Sequence, residues 1–178
     1  MFYKEIEIRW SDLDANRHLA NSSYIDFGSH TRIDFLTGIG FDQQYMATHQ
    51  IGPVVFYEHL YYFKEVFIGK IKVSLGLIGL SETGKFFEFH HDYYDAQGRN
   101  FARLELMGGW MNLKTRKLMD LPSEIMTNFN QIPKDKDFRI LTAADTRKFG
   151  KVPMDLKQLF IDHDLWQRWK SLDSFQSN

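Results

Sequence analysis

Two carboxylates, an imidazole and an amide crowd into Arg9-Trp10-Ser11-Asp12-Leu13-Asp14-Ala15-Asn16-Arg17-His18-Leu19-Ala20-Asn21-Ser22-Ser23-Tyr24. A carboxylate in such a stretch can attack a carbonyl carbon or take a proton from a water that does so. The attack puts negative charge on the carbonyl oxygen, and that charge needs hydrogen-bond donors. A helix beginning near Asn21 would supply them, because a helix start carries unpaired N–H groups and a partial positive charge. These parts together suffice to hydrolyse an ester or thioester without a metal or a cysteine nucleophile. The same residue types also have a plainer use. Asp, Asn and Ser before a helix are commonly caps and turn formers, and a single His is more often a buried hydrogen-bonded or surface residue than a catalytic one.

The elements around this stretch must hold it in place. Residues 2–10 alternate, with Phe2, Lys4, Ile6, Ile8 and Trp10 on one face and Tyr3, Glu5, Glu7 and Arg9 on the other. Period two predicts a strand with one wet face. The polar run Ser11–His18 breaks the alternation and reads as a loop. A helix is expected from about Asn21, with Ser23 and Asp26 as an acidic variant of the capping box. Tyr24, Phe27, Thr31 and Phe35 recur at helical spacing, and Thr37-Gly38-Ile39-Gly40 ends the run. Gly28 inside that helix costs about 1 kcal/mol against Ala, which close backbone packing on a sheet would justify.

After residue 50 the pattern turns to β. Strands are expected over 54–67, 70–80, 85–94 and 100–113, with turns at Gly69, Ser81-Glu82-Thr83-Gly84 and Asp95-Ala96-Gln97-Gly98. Gly108-Gly109 predicts a bulge or bend. The order of strand, long helix and four strands joined by short turns is α+β, with an antiparallel sheet and one central helix. Pro122–Phe129 reads as a short helix, and residues 133–151 are charged and weakly patterned. Leu156, Leu159, Phe160, His163, Trp166 and Trp169 form a stripe at helical spacing. The organisation expected is thus one domain over 1–129 and a partly helical, docked extension over 130–178.

Composition narrows the functions. The chain has 178 residues, 43% of them hydrophobic and 16 of them Phe, which suits one domain with a wide, ring-filled core. Its net charge is −1 with scattered Lys and Arg, so a nucleic-acid partner is not expected. The absence of cysteine removes disulfides, thiolate zinc sites and Cys nucleophiles. No apolar run approaches the roughly 18 residues of a membrane span, and no secretory signal is evident. A soluble, cytoplasmic protein is expected. Glu58 and His59 are neighbours in a strand and point to opposite faces, so only one can face the helix. Either is a candidate to line a site, beside the plainer reading of solvated or hydrogen-bonded strand residues. His90 and His91 also face apart and are poor partners for one metal. Phe87, Phe89 and Tyr93 share a face that reads as core.

Asp12, Asp14, His18, Asn21 and Tyr24 together resemble the D-x-D-x-x-G-H-x-x-N-x-x-Y signature of the 4-hydroxybenzoyl-CoA thioesterase-like branch of the hot-dog fold. The resemblance extends over about residues 3–129. Arg32 is similar to an arginine of the family's central helix, and Gly52-Pro53-Val54-Val55 with Tyr62-Phe63-Lys64-Glu65-Val66 to its second strand. Leu113-Lys114-Thr115-Arg116-Lys117-Leu118 and Leu121-Pro122 are similar to its last strand and exit. The resemblance implies a sheet wrapped around a long helix and an acyl-CoA thioesterase that needs no cofactor. It implies Asp14 as the catalytic carboxylate, nucleophile or general base, and Asp12 as an organiser of the loop. Amides around Ser22, Ser23 and Tyr24 would polarise the thioester carbonyl, with His18 and Asn21 shaping the loop or orienting water. It also implies a homodimer or homotetramer whose sites lie between subunits. One departure stands out: Arg17 occupies the position where the family has Gly, which tolerates a left-handed backbone far better. The alternatives left open are an acyl-carrier-protein thioesterase, a hot-dog dehydratase or hydratase, and a non-catalytic acyl-binding module.

Overall fold

The computed structural model describes residues 2–132, 134–155, 167, 168 and 171. Residues 1–146 form one compact unit and 147–178 a second. In the first, β1 (Phe2–Ile8) leads through a short 3-10 turn at Trp10–Asp12 to α1 (Asn21–Gly38) and α2 (Gln43–His49). Then come β2 (Ile51–Tyr62), β3 (Gly69–Ser81), β4 (Phe86–Tyr94) and β5 (Asn100–Asn112). A two-residue β6 (Leu118–Met119), α3 (Ser123–Asn130) and β7 (Lys134–Leu141) complete the elements. The sheet runs β1-β3-β4-β5-β2, with β6 beside β5 and β7 beside β3. All pairs are antiparallel except β3 with β7. The fold is the expected α+β arrangement of an antiparallel sheet on a central helix.

The helix face that touches the sheet is the one its spacing announces: Tyr24, Phe27, Thr31 and Phe35 are buried. The first half of α1 packs with Ile8, Val73, Tyr93 and Leu104, the second half with Leu77, Phe87, Phe89 and Trp110. Phe87, Phe89 and Tyr93 are core side chains, as expected. Gly28 lies where the helix comes closest to the sheet. A Cβ there would stand 2.8 Å from Leu104 Cδ2 and 2.9 Å from Tyr93 Oη, so a side chain would push the two layers apart.

Several local expectations change. Trp10 does not continue the buried face of β1; it turns out in the 3-10 turn and is 84% exposed. The expected capping box at Ser23 and Asp26 does not form. Ala20 is the N-cap of α1, and Ser23 sits inside the first turn with its hydroxyl donating to Asp12 O at 3.0 Å. β2 starts and ends earlier than its β-rich composition suggests. The Gly108-Gly109 irregularity is real, but the extra residue is on the partner strand, where the register shifts between Val55 and Tyr57. A Cβ on Gly108 would lie 2.4 Å from Val54 O, so that close crossing needs glycine. In the weakly patterned stretch after 133, Lys134–Leu141 makes a parallel strand on β3. Of the second unit, residues 147–155 contain a turn closed by Gly150 N–H on Arg147 O at 2.8 Å. The apolar stripe Leu156, Leu159, Phe160, His163, Trp166 and Trp169 lies outside the described residues.

Candidate functional site

The loop between β1 and α1 is built around two aspartates with different jobs. Asp12 is buried and spends its carboxylate locally, accepting from Arg9 N at 2.8 Å and from the Arg9 guanidinium at 3.2 and 3.0 Å. That guanidinium holds the Asp12 carboxyl below the ordinary carboxylate range. The Asp12 carbonyl takes Ala20 N–H at 2.9 Å as well as the Ser23 hydroxyl, so Asp12 fastens the loop to the helix start.

Asp14 is exposed, in a tight reversal where Leu13 bridges Leu19 and Asp14 N–H donates to His18 O at 2.8 Å. Its Oδ1 accepts from Asn16 N at 2.8 Å and His18 N at 3.0 Å. Both amides go to one oxygen; among the described residues no donor stands on Oδ2. The reversal requires φ +65° at Arg17, the left-handed conformation that glycine takes without strain. The chain therefore keeps the glycine geometry with an arginine in the position.

At the start of α1, Ala20 N–H is taken by Asp12 O and Ser23 N–H by Ala20 O at 2.9 Å. Asn21 and Ser22 remain as exposed helix-start residues whose amides have no intrahelical acceptor. Asp14, His18, Asn21 and Tyr24 line one hollow of about 390 Å³ with Leu19, Tyr62 and Phe63. The Tyr24 hydroxyl is pushed up to about 12 by burial, with Tyr62 and the Asp14 charge adding, so it stays protonated and able to donate. His18 Nε2 lies 3.0 Å from Glu65 Oε2, and its ring stands edge-on to Phe67 at 5.1 Å. Four of the site residues expected from sequence thus meet here, and Ser22 and Ser23 belong to the helix turn beside them.

Glu58 and His59 stand elsewhere. Glu58 is the one that faces the helix: its Oε1 accepts from Arg32 Nη2 at 3.2 Å. Arg32 also reaches Ser29 Oγ at 2.9 Å and lies 3.3 Å from His91 Nε2. His59 is on the opposite face, 5.3 Å ring to ring from Tyr57. Among the described residues no three His, Asp or Glu side chains group to hold a metal.

Sequence reasoning did not single out Tyr62, Phe63, Lys64 and Glu65 as walls of the Asp14 hollow. They arrive by tertiary pairing, through Leu19 N–H on Val66 O at 2.9 Å, and nothing local marks them.

The chain matches the family described as "Thioesterase-like superfamily" over residues 8–129. Among curated proteins none matches. Among solved structures, YbaW, a probable thioesterase from Escherichia coli, is 25% identical, with TM-score 0.63, over 74% of this chain and 98% of that one. The protein SAV2348 from Staphylococcus aureus, in complex with CoA, is 18% identical, with TM-score 0.70, over 86% and 95%. A 1,4-dihydroxy-2-naphthoyl-CoA thioesterase from Synechocystis is 15% identical, with TM-score 0.66, over 74% and 96%. The last two likenesses establish the fold. No helix among the described residues is long and apolar enough to cross a membrane.

Proposed function

Because the chain belongs to the thioesterase-like superfamily, we propose that it hydrolyses an acyl-CoA or related thioester to the free acid and thiol, with Asp14 as the catalytic carboxylate. The observation that carries the reading is the meeting of Asp14 with Asn21 in one hollow at the start of α1. Asp14 has one oxygen fixed by two amides and the other free for chemistry. That oxygen attacks the thioester carbon, giving an anhydride that water then cleaves, or it takes a proton from the water that attacks. In either route the carbonyl oxygen gains charge against the Asn21 and Ser22 amides and the positive end of α1. The C–S bond then breaks and the thiolate leaves. His18, held by Glu65, shapes the wall, and the protonated Tyr24 hydroxyl is a further donor. The CoA-bound Staphylococcus aureus relative favours CoA as the thiol carrier.

On this reading the enzyme is a homodimer or homotetramer. Among the described residues β2 has β5 as its main-chain neighbour on one side, and Val55, Tyr61 and Tyr62 on it are exposed. An unpaired edge of this kind is a template for a second copy, and Tyr62 also lines the Asp14 hollow. Light scattering that found only monomer at assay concentration would contradict this.

The deciding experiment is a panel of acyl- and aryl-CoA thioesters with free-thiol release as the signal. Turnover of at least one member, lost in Asp14→Asn, is expected. No release from any thioester would remove the hydrolase reading and leave an acyl-binding module.

A further inference from the structure

A second, larger hollow of about 900 Å³ lies at the far end of α1, walled by Phe2, Phe35, Ile39 and Leu75 and rimmed by Lys134 and Lys136. The 18 residues of α1 separate its two ends by about 27 Å, and the two hollows share no lining residue. The larger one opens at a notch in the sheet. β1 begins opposite Leu75 and β7 begins opposite Leu77, so Gly76 falls between the two neighbours of β3.

The walls and the rim differ in character. Phe35 and Leu75 are buried core side chains, and Phe2 stands edge-on to Phe35 at 5.7 Å. A water-filled hollow against such walls leaves apolar surface wet, which an apolar ligand would relieve. Its volume lies within the roughly 300–1,000 Å³ of small-molecule sites. On the rim, Lys134 Nζ sits 4.5 Å from the centre of the Phe138 ring, and Lys136 is exposed. Neither lysine has a carboxylate partner among the described residues. Asp135 between them also lines the hollow, but its Oδ2 is turned to 3.7 Å from His90 Nε2, on a side chain only 4% exposed. That nitrogen has no hydrogen-bond partner among the described residues, and Asp92 Oδ2 lies at the same 3.7 Å from it.

An occupant matched to these walls is apolar along its length and carries a single negative end. We infer that this hollow binds a long-chain carboxylate, with its tail against Phe2, Phe35, Ile39 and Leu75 and its head between Lys134 and Lys136. The inference does not rest on the thioester reading, and binding is measured without turnover.

Dodecanoate, kept below its micelle concentration, is titrated calorimetrically into the full chain, with dodecanol and acetate as comparators. Saturation at one dodecanoate per chain is expected, with none for acetate. The double variant Lys134→Glu/Lys136→Glu alters exposed positions and should fold. It should weaken dodecanoate about tenfold or more, the scale of a lost charged hydrogen bond, and leave dodecanol unchanged. Ile39→Trp, which fills the hollow, should abolish both, while Tyr62→Ala in the Asp14 hollow should leave dodecanoate affinity as it was. Absence of saturable binding, an unchanged affinity in the double lysine variant, or loss of binding in Tyr62→Ala would overturn the inference.

Discussion

Asp14 stands exposed before the first turn of α1, while His91 stands fully buried under the helix's middle, against Arg32 and the Ser74 carbonyl. Both are titratable and both are held by two partners. Burial, with the Arg32 charge adding, drives His91 down to about 3, and burial also lowers Arg32. A strongly shifted group is often taken as a pointer to function. Here the shift follows from burial and the neighbouring Arg32 charge, on a side chain with no exposed surface. The candidate chemistry sits where an accessible carboxylate oxygen, a helix start and a hollow converge. Convergence and access single out the candidate site in this molecule.

The comparison is broken most directly at Asp14. Asp14→Asn keeps an oxygen for the Asn16 and His18 amides but removes the charge and the nucleophile. A fall in kcat of at least about 100-fold is expected, the usual scale for losing a general base or nucleophile. The position is exposed, so stability should change by no more than about 0.5 kcal/mol. Steady-state kinetics on the best thioester, beside a thermal melt, checks both halves. Near-normal turnover would sink the mechanism.

His91 should show the reverse pattern: a large effect on the pH dependence of stability and a small one on chemistry. Its folded-state pKa lies near 3, and that of the unfolded chain near the ordinary 6.5. Between those values the unfolded state binds a proton that the folded state refuses. Stability therefore falls as pH falls through this window, by up to about 1.4 kcal/mol per pH unit. His90, also lowered by burial, adds in the same direction. Urea unfolding at pH 7 and pH 5 should give a clearly smaller difference in His91→Gln than in the parent, whatever the variant's absolute stability. Equal differences would mean that the buried neutral imidazole is not the source.

What could be read in the sequence divides along the same line. Period-two alternation in residues 2–8 and helical spacing from Tyr24 to Phe35 are local consequences of one face being buried, so they fixed β1 and α1. Asp14, His18, Asn21 and Tyr24 were visible because they lie on one short stretch whose spacing is itself the signature. That Glu58 and His59 face apart followed from strand geometry, but which of them faces in depended on the bulge at Val55–Tyr57, a tertiary adjustment to Gly108. Tyr62, Phe63 and Glu65 were illegible as site walls, since the Leu19–Val66 hydrogen bond that brings them there joins residues far apart in sequence. β7 was illegible because Lys134–Leu141 covers only the far end of the β3 edge and shows no clean alternation of burial.

Arg17 gives the smallest effect and the sharpest check on how the Asp14 loop is held. The residue sits at φ +65°, and its N–H donates to Asp14 O at 3.0 Å, closing the reversal. A non-glycine side chain in that conformation costs about 1–2 kcal/mol. Glycine would remove the strain but give back part of the gain through a more flexible unfolded chain. Arg17→Gly should therefore stabilise the protein by about 0.5–1 kcal/mol, a rise of roughly 1–4 °C in melting temperature. Activity should hold, because the amides on Asp14 Oδ1 come from Asn16 and His18 and do not involve the side chain at 17. A loss of stability would mean that the Arg17 side chain offsets its backbone strain through contacts of its own. A gain in stability with a loss of turnover would mean that its positive charge takes part in holding the substrate.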